Sequence, residues 1–238
     1  MQNIKSKIKK VNLLLIKKYG IPQRSAIPAD PVDMLVATIL SQNTNDKNSY
    51  RAFNNLKENY RSWKDVAGLD EEVIEDQIKV AGLGKQKSKA IKSFLNSLLE
   101  KKGKITLDYL RRKTNDEVLN ELTGFTGVGV KTASCVLQFS FRRNICPVDT
   151  HVHRTTNRIG IVRTKTPDKT FYILKENMPD DTAHSFHTNL IRLGREICKP
   201  AVPLCSICPL LKICEYEYKN LDAVPAYKEN KFLLLDSI

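Results

Sequence analysis

Apolar residues at the start of the chain fall at Ile4, Ile8, Val11 and Leu15, the spacing of one helical face, and predict a surface helix packed on a core. Asp30 followed by Pro31 reads as an N-cap with proline at the first helical position, opening the buried run Met34, Leu35, Val36, Ala37, Ile39 and Leu40. Thr114 and Glu117 make a capping box ahead of Val118, Leu119 and Leu122. Thr166 with Pro167 begins another helix, and Asp181 is placed to cap one whose Phe186, Leu190 and Leu193 lie along a single stripe. Nowhere does apolar and polar alternation persist as a β-sheet would need. The pattern predicts a mostly α chain built from short helices.

Two segments share a grammar of helix, glycine hairpin, helix: "VAGLGKQKSKAI" around Gly82 and Gly84, and "LTGFTGVGVKTASCVL" around Gly127 and Gly129. Paired glycines allow positive φ and close approach of another backbone. The helix that follows begins with unpaired amides pointing outward, which suits a phosphate oxygen. The Gly82 segment serves equally well as a tight turn between core helices.

Composition narrows the partners. The 238 residues carry 39 Lys and Arg against 26 Asp and Glu, a formal charge of +13 with 41% apolar content. That length and apolar content suit a folded chain of one large or two modest domains, and exclude disorder or a disulfide-stapled miniature. The cationic excess points to a polyanion, nucleic acid first and an anionic membrane surface second. No segment nears the roughly 18 consecutive apolar residues of a spanning helix. The Lys-rich amino terminus lacks the apolar core and cleavage site of a signal peptide, so a cytoplasmic protein is expected, nucleoid-associated if the polyanion is DNA. The Lys runs at 7 to 18 and 85 to 92 read as solvated faces, with the second adjoining the Gly82 hairpin and able to touch DNA backbone.

Cys198, Cys205, Cys208 and Cys214 follow the pattern C-x6-C-x2-C-x5-C, apart from Cys135 and Cys146. Reduced thiols in this spacing suit tetrahedral zinc or an iron-sulfur cluster, and ligand softness does not separate the two. His151 and His153 are two apart and point to different helix faces, which argues against a paired metal site. His184 and His187 can share a face, but no acidic ligand pattern accompanies them.

The cysteine loop followed by "EYEY", together with "ILSQNTND", "AGLGKQKSKAI", "LTGFTGVGVKTA" and "PVDTHVHR", resembles the endonuclease III family of the helix-hairpin-helix DNA glycosylase superfamily. The resemblance runs from about Asp30 to Cys214, leaving the tail from Glu215 onward without an assignable motif. It implies an all-α, two-domain helix-hairpin-helix DNA glycosylase fold. A six-helix barrel with the hairpin would span residues 26–140, and a discontinuous domain, residues 1–25 plus 141–238, would carry a four-iron four-sulfur (4Fe-4S) cluster on the four cysteines. The implied partner is double-stranded DNA with a damaged base or abasic site, bound by a monomer.

Residue roles follow from the same resemblance. Lys131 occupies the nucleophile position; an amine attacks only when unprotonated, and a cleft at the positive end of a helix favours that form. Asp149 matches the essential aspartate, able to stabilise positive charge on the target sugar, and also reads as an N-cap for the helix near Thr150. His151 beside it shapes the lesion pocket. Asn43, with Gln42 as alternative, enters the gap left by the flipped nucleotide, where the family more often has glutamine. Leu83 is the apolar wedge between base steps. Gly127, Val128, Gly129, Gly84 and Lys87 are expected to touch DNA.

Lysine at position 131 separates the chain from monofunctional relatives, and Ala37 stands where the adenine-removing branch has glutamate. The expected activity is a bifunctional glycosylase and abasic-site lyase acting on oxidised or otherwise damaged pyrimidines. A mismatch glycosylase for uracil or thymine opposite guanine is the nearest alternative. A damage-binding module without catalysis is the other, and it needs neither Lys131 nor Asp149.

Overall fold

The computed structural model describes residues 3–222, and the tail beyond Asp222 lies outside them. These residues form eleven α-helices joined by short 3-10 turns, with no strand among them. They divide into two compact units, one of residues 3–24 with 144–222 and one spanning Ser25–Arg143.

The continuous unit holds seven helices: α2 (Pro31–Leu40), α3 (Asp46–Asn59), α4 (Trp63–Ala67), α5 (Glu71–Ile78), α6 (Gly84–Lys102), α7 (Asn115–Thr123) and α8 (Val130–Cys135). Helix α2 is its axle: Val32 and every residue from Met34 to Leu40 are buried, and α3, α6 and α8 pack around it. A helix apolar on all sides must lie inside. Its start is fixed as the sequence predicts, with Asp30 accepting hydrogen bonds from the amides of Val32 at 2.8 Å and Asp33 at 3.1 Å. Asp33 in turn receives the indole N–H of Trp63 at 2.6 Å, which ties α4 to α2. The capping box of Thr114 and Glu117 opens α7. Phe125 meets Phe94 of α6 edge to face at 5.0 Å, closing this end of the core. A π-helical turn, Val136–Ser140, continues α8; no sequence signal announced it.

The discontinuous unit holds α1 (Ile4–Tyr19), α9 (Thr150–Ile159), α10 (Pro167–Asn177) and α11 (Ala183–Glu196). Ile8, Val11 and Leu15 are fully buried, so the apolar stripe of α1 does face a core. That stripe packs on α11, and polar ties flank it: Ser185 Oγ donates to Asn12 Oδ1 at 3.0 Å, Asn189 to Gly20 O, and Arg192 to Tyr19 O. Helix α9 crosses α11 at Gly194, where a Cβ would sit 2.9 Å from that of His151.

Two sequence expectations fail here. Asp181 does not cap α11: it sits at φ 52°, Thr182 holds the N-cap position, and Asn144 Oδ1 accepts the Ala183 amide at 3.0 Å. Lys7 does not belong to a solvated face. It is 5% exposed, donates to Gly160 O at 3.0 Å and forms an ion pair with Glu215, so the segment after Cys214 is tied to α1 and α9.

Candidate active site

In the continuous unit the second glycine hairpin follows α7. Gly127 takes φ +78° against α6, where a Cβ would lie 2.8 Å from that of Ala90, so only glycine fits both the backbone and the space. Val128 is 5% exposed and its amide donates to Phe125 O at 3.1 Å. Gly129 is the extended N-cap of α8 and contributes no side-chain cap. The first amides of α8 have no acceptor inside the helix, and the positive end of its dipole is uncovered by any acidic residue in the first turn. Lys131, half-buried, is the second residue of α8.

The segment after α2 comes to the same place. Gln42 Nε2 donates to Gly127 O at 3.2 Å, and the next residue, Asn43, adopts a left-handed φ of 51°. In the first hairpin Gly82 has φ 69° and ψ 165°, Leu83 has φ 50°, and Gly84 begins α6. Leu83 remains 46% exposed although it is a large apolar residue in a strained conformation. Lys87, expected at the DNA surface, is instead 2% exposed and donates to Leu40 O at 2.8 Å and Ala81 O at 2.9 Å. Its position one turn into α6 directs the side chain inward, onto these two carbonyls.

In the discontinuous unit Asp149 caps α9, its Oδ1 accepting the Val152 amide at 2.8 Å. One oxygen is thereby fixed, and the half-buried carboxylate keeps its other oxygen outside this bond. Burial holds the His151 imidazole below its ordinary pKa; the neighbouring Asp149 opposes this, while Arg154 and Arg195 reinforce it. Arg154 approaches His151 Nδ1 at 3.2 Å and donates to Gly194 O and Cys198 O. His153 faces elsewhere, its Nδ1 at 2.8 Å from Thr170 Oγ1 of α10.

Cys198, Cys205, Cys208 and Cys214 line one pocket, joined by Arg158, Ile197, Pro203 and Tyr216. Two 3-10 turns, Cys205–Ile207 and Leu211–Ile213, shape its wall. The four thiols thus face one shared space. Burial pushes the Cys208 thiol up to about 11 and raises Cys214 as well. Metal binding at these thiols would have to displace their protons, while four cysteines on one pocket wall are a donor set that suits a thiolate-bound metal centre. Arg158 escaped the sequence reading: its guanidinium lies 4.4 Å over the Tyr216 ring and donates to Cys198 Sγ at 3.5 Å. The "EYEY" segment was the available signal, since its first tyrosine supplies that ring. Cys135 and Cys146 are buried away from this pocket.

Residues 36–180 match the HhH-GPD superfamily of base excision DNA repair proteins. The chain is 39% identical over 202 residues to endonuclease III of Thermotoga maritima, covering 85% of this chain and 89% of that protein. Two solved structures, a non-covalent endonuclease III-DNA complex and a trapped endonuclease III-DNA covalent intermediate, each superpose with a TM-score of 0.74 at 28% identity. Each alignment covers 89% of this chain and 95% of the other. The chain therefore belongs to the endonuclease III family within that superfamily, and is a DNA glycosylase of base-excision repair. None of its helices is long and apolar enough to cross a membrane, among the described residues.

Proposed function

We propose that the chain removes oxidised or otherwise damaged pyrimidines from duplex DNA and then cuts the strand, with Lys131 as nucleophile and Asp149 as its electrostatic partner. The observation that carries this reading is the lysine itself, held at the uncovered N-terminus of α8 directly behind a glycine hairpin. The related structure of a trapped covalent intermediate supports it.

The chemistry follows from the residue types. Once the damaged nucleotide is flipped out of the stack, the Lys131 amine attacks the anomeric carbon as the bond to the base breaks, and the base leaves with the bonding pair and a proton. The Asp149 carboxylate stabilises positive charge on the sugar during that exchange. Ring opening gives an imine between Lys131 and the sugar. Loss of a proton from the adjacent carbon then expels the 3′ phosphate, which is the β-elimination step. Asn43 enters the gap left by the nucleotide and Leu83 wedges the neighbouring base step, while amides beside Gly127 and Gly129 hold the backbone phosphates.

We also propose that the four cysteines hold a four-iron four-sulfur cluster rather than zinc. The four cysteines on the wall of one pocket and the chain's membership of the endonuclease III family support this reading. When bound, the cluster supplies structure: it folds the loop from Cys198 to Cys214 and presents Lys199 and Lys212 to phosphates. A protein with about four irons per chain supports this assignment, and a colourless protein with one zinc overturns it.

Borohydride reduction is the test of the reaction. Incubated with duplexes carrying an abasic site, thymine glycol, or uracil opposite guanine, the protein should form a reduced covalent adduct that Lys131→Ala abolishes. Adduct formation confined to uracil opposite guanine would establish the mismatch activity instead. Failure on every substrate, or an adduct that survives Lys131→Ala, would sink the lyase mechanism.

A further inference from the structure

Lys87 is a buried cation with no acidic partner among the described residues. Its ammonium donates to two carbonyls among the described residues, and burial pushes its pKa down to about 8, so the charge persists at neutral pH. What it holds is specific. Leu40 is the last residue of α2 and Ala81 the last of the 3-10 turn Lys79–Ala81. Three residues after the first lies Asn43, and two after the second lies Leu83, both non-glycine residues in left-handed backbone, at φ 51° and 50°.

Helix ends leave carbonyls without partners, and the negative end of α2 favours a positive charge there. Lys87 meets one such carbonyl from each element. A left-handed backbone is strained for a non-glycine residue and persists only where its surroundings fix it. We propose that Lys87 is a positioning residue that locks the Asn43 and Leu83 loops into one rigid DNA-penetrating unit, so that gap filling and wedging occur together. This rests on the reading of Asn43 and Leu83 as the residues that enter the helix. A buried ammonium suits the role better than an apolar residue because it gives both loops a shared, directional anchor.

The test compares a substrate that must be wedged with one that need not be. Lys87→Met, close in length but uncharged, is assayed by borohydride trapping on an abasic duplex and on an abasic single strand, with 2-aminopurine opposite the lesion as a fluorescent reporter of unstacking. Trapping on the duplex should slow tenfold or more and the fluorescence rise should disappear. Trapping on the single strand should stay within twofold of wild type, which also shows that the variant folds. Adding Asn43→Ala and Leu83→Ala to Lys87→Met should cost less than twofold more.

Equal losses on both substrates, unchanged duplex trapping, or losses that multiply across the combined variant would each overturn the proposal. Failure of the underlying reading looks different: wild type would then still be trapped on both substrates, but without a fluorescence rise on the duplex, and Asn43→Ala and Leu83→Ala in the wild-type background would leave duplex trapping unchanged.

Discussion

The two glycine hairpins of the continuous unit are written in nearly the same letters and deliver opposite things. At Gly82 the space around the backbone is open, the next residue turns left-handed, and an apolar side chain is left outside. At Gly127 the backbone is pressed onto Ala90, the intervening Val128 is buried, and what remains outside is backbone and a helix start. The difference lies in the packing partner. Ala90 belongs to the helix that the first hairpin opens, so the first fixes where the second can rest. One hairpin leaves an apolar side chain outside and the other leaves backbone and a helix start, and a glycine in the sequence alone does not say which.

Gly127→Ala should break the comparison most sharply. It adds left-handed strain to a clash with a backbone-anchored methyl, and about 3 kcal/mol of stability should be lost in denaturant melts. Gly82→Ala meets nothing within 4 Å and suffers strain alone, so about 2 kcal/mol is expected. Combining each with Ala90→Gly separates the two: a favourable coupling of roughly 1 kcal/mol for position 127 and none for position 82. Equal coupling at both sites would erase the distinction.

Leu83→Ala should change stability by less than about 0.5 kcal/mol, because the side chain is largely exposed, yet slow duplex trapping severalfold. The smallest effect concerns pH. Lys87 ordinarily titrates near 10.5 but near 8 when folded, so between those values the unfolded chain binds more protons and stability rises with pH. The melting temperature of wild type should therefore climb relative to Lys87→Met between pH 7.5 and 10, those limits being set to span roughly that window. A constant difference would mean that Lys87 titrates normally.

Local devices were legible because their partners lie within a few residues. Asp30, Thr114, Thr166 and Asp149 cap the helices that the sequence predicts. Where the partner is distant, the sequence misleads. The start of α11 is held by Asn144, 39 residues away, not by the adjacent Asp181. Lys7 and Lys87 sit in basic runs that read as solvated, and only the fold reveals the carbonyls and the carboxylate waiting for them. The cysteine pocket was readable from spacing, but its aromatic and guanidinium wall required α9 to meet the segment after Cys214. The clustering of Asn43, Leu83 and Gly127 around α6 had no signature beyond the family resemblance.

The packing of α1 on α11 has a consequence for how the protein is made. Asn12 and its partner Ser185 are 173 residues apart. At a synthesis rate of about 5–20 residues per second, the first helix emerges roughly 9–35 s before the surface that covers it. Through that interval the α11 surface that covers Ile8, Val11 and Leu15 is not yet made, while Ser25–Arg143 is completed and available to fold as one block. Translation order thus delays the seating of the amino-terminal helix, and a chain truncated before Ala183 would carry the continuous unit together with an α1 whose apolar stripe lacks its α11 cover.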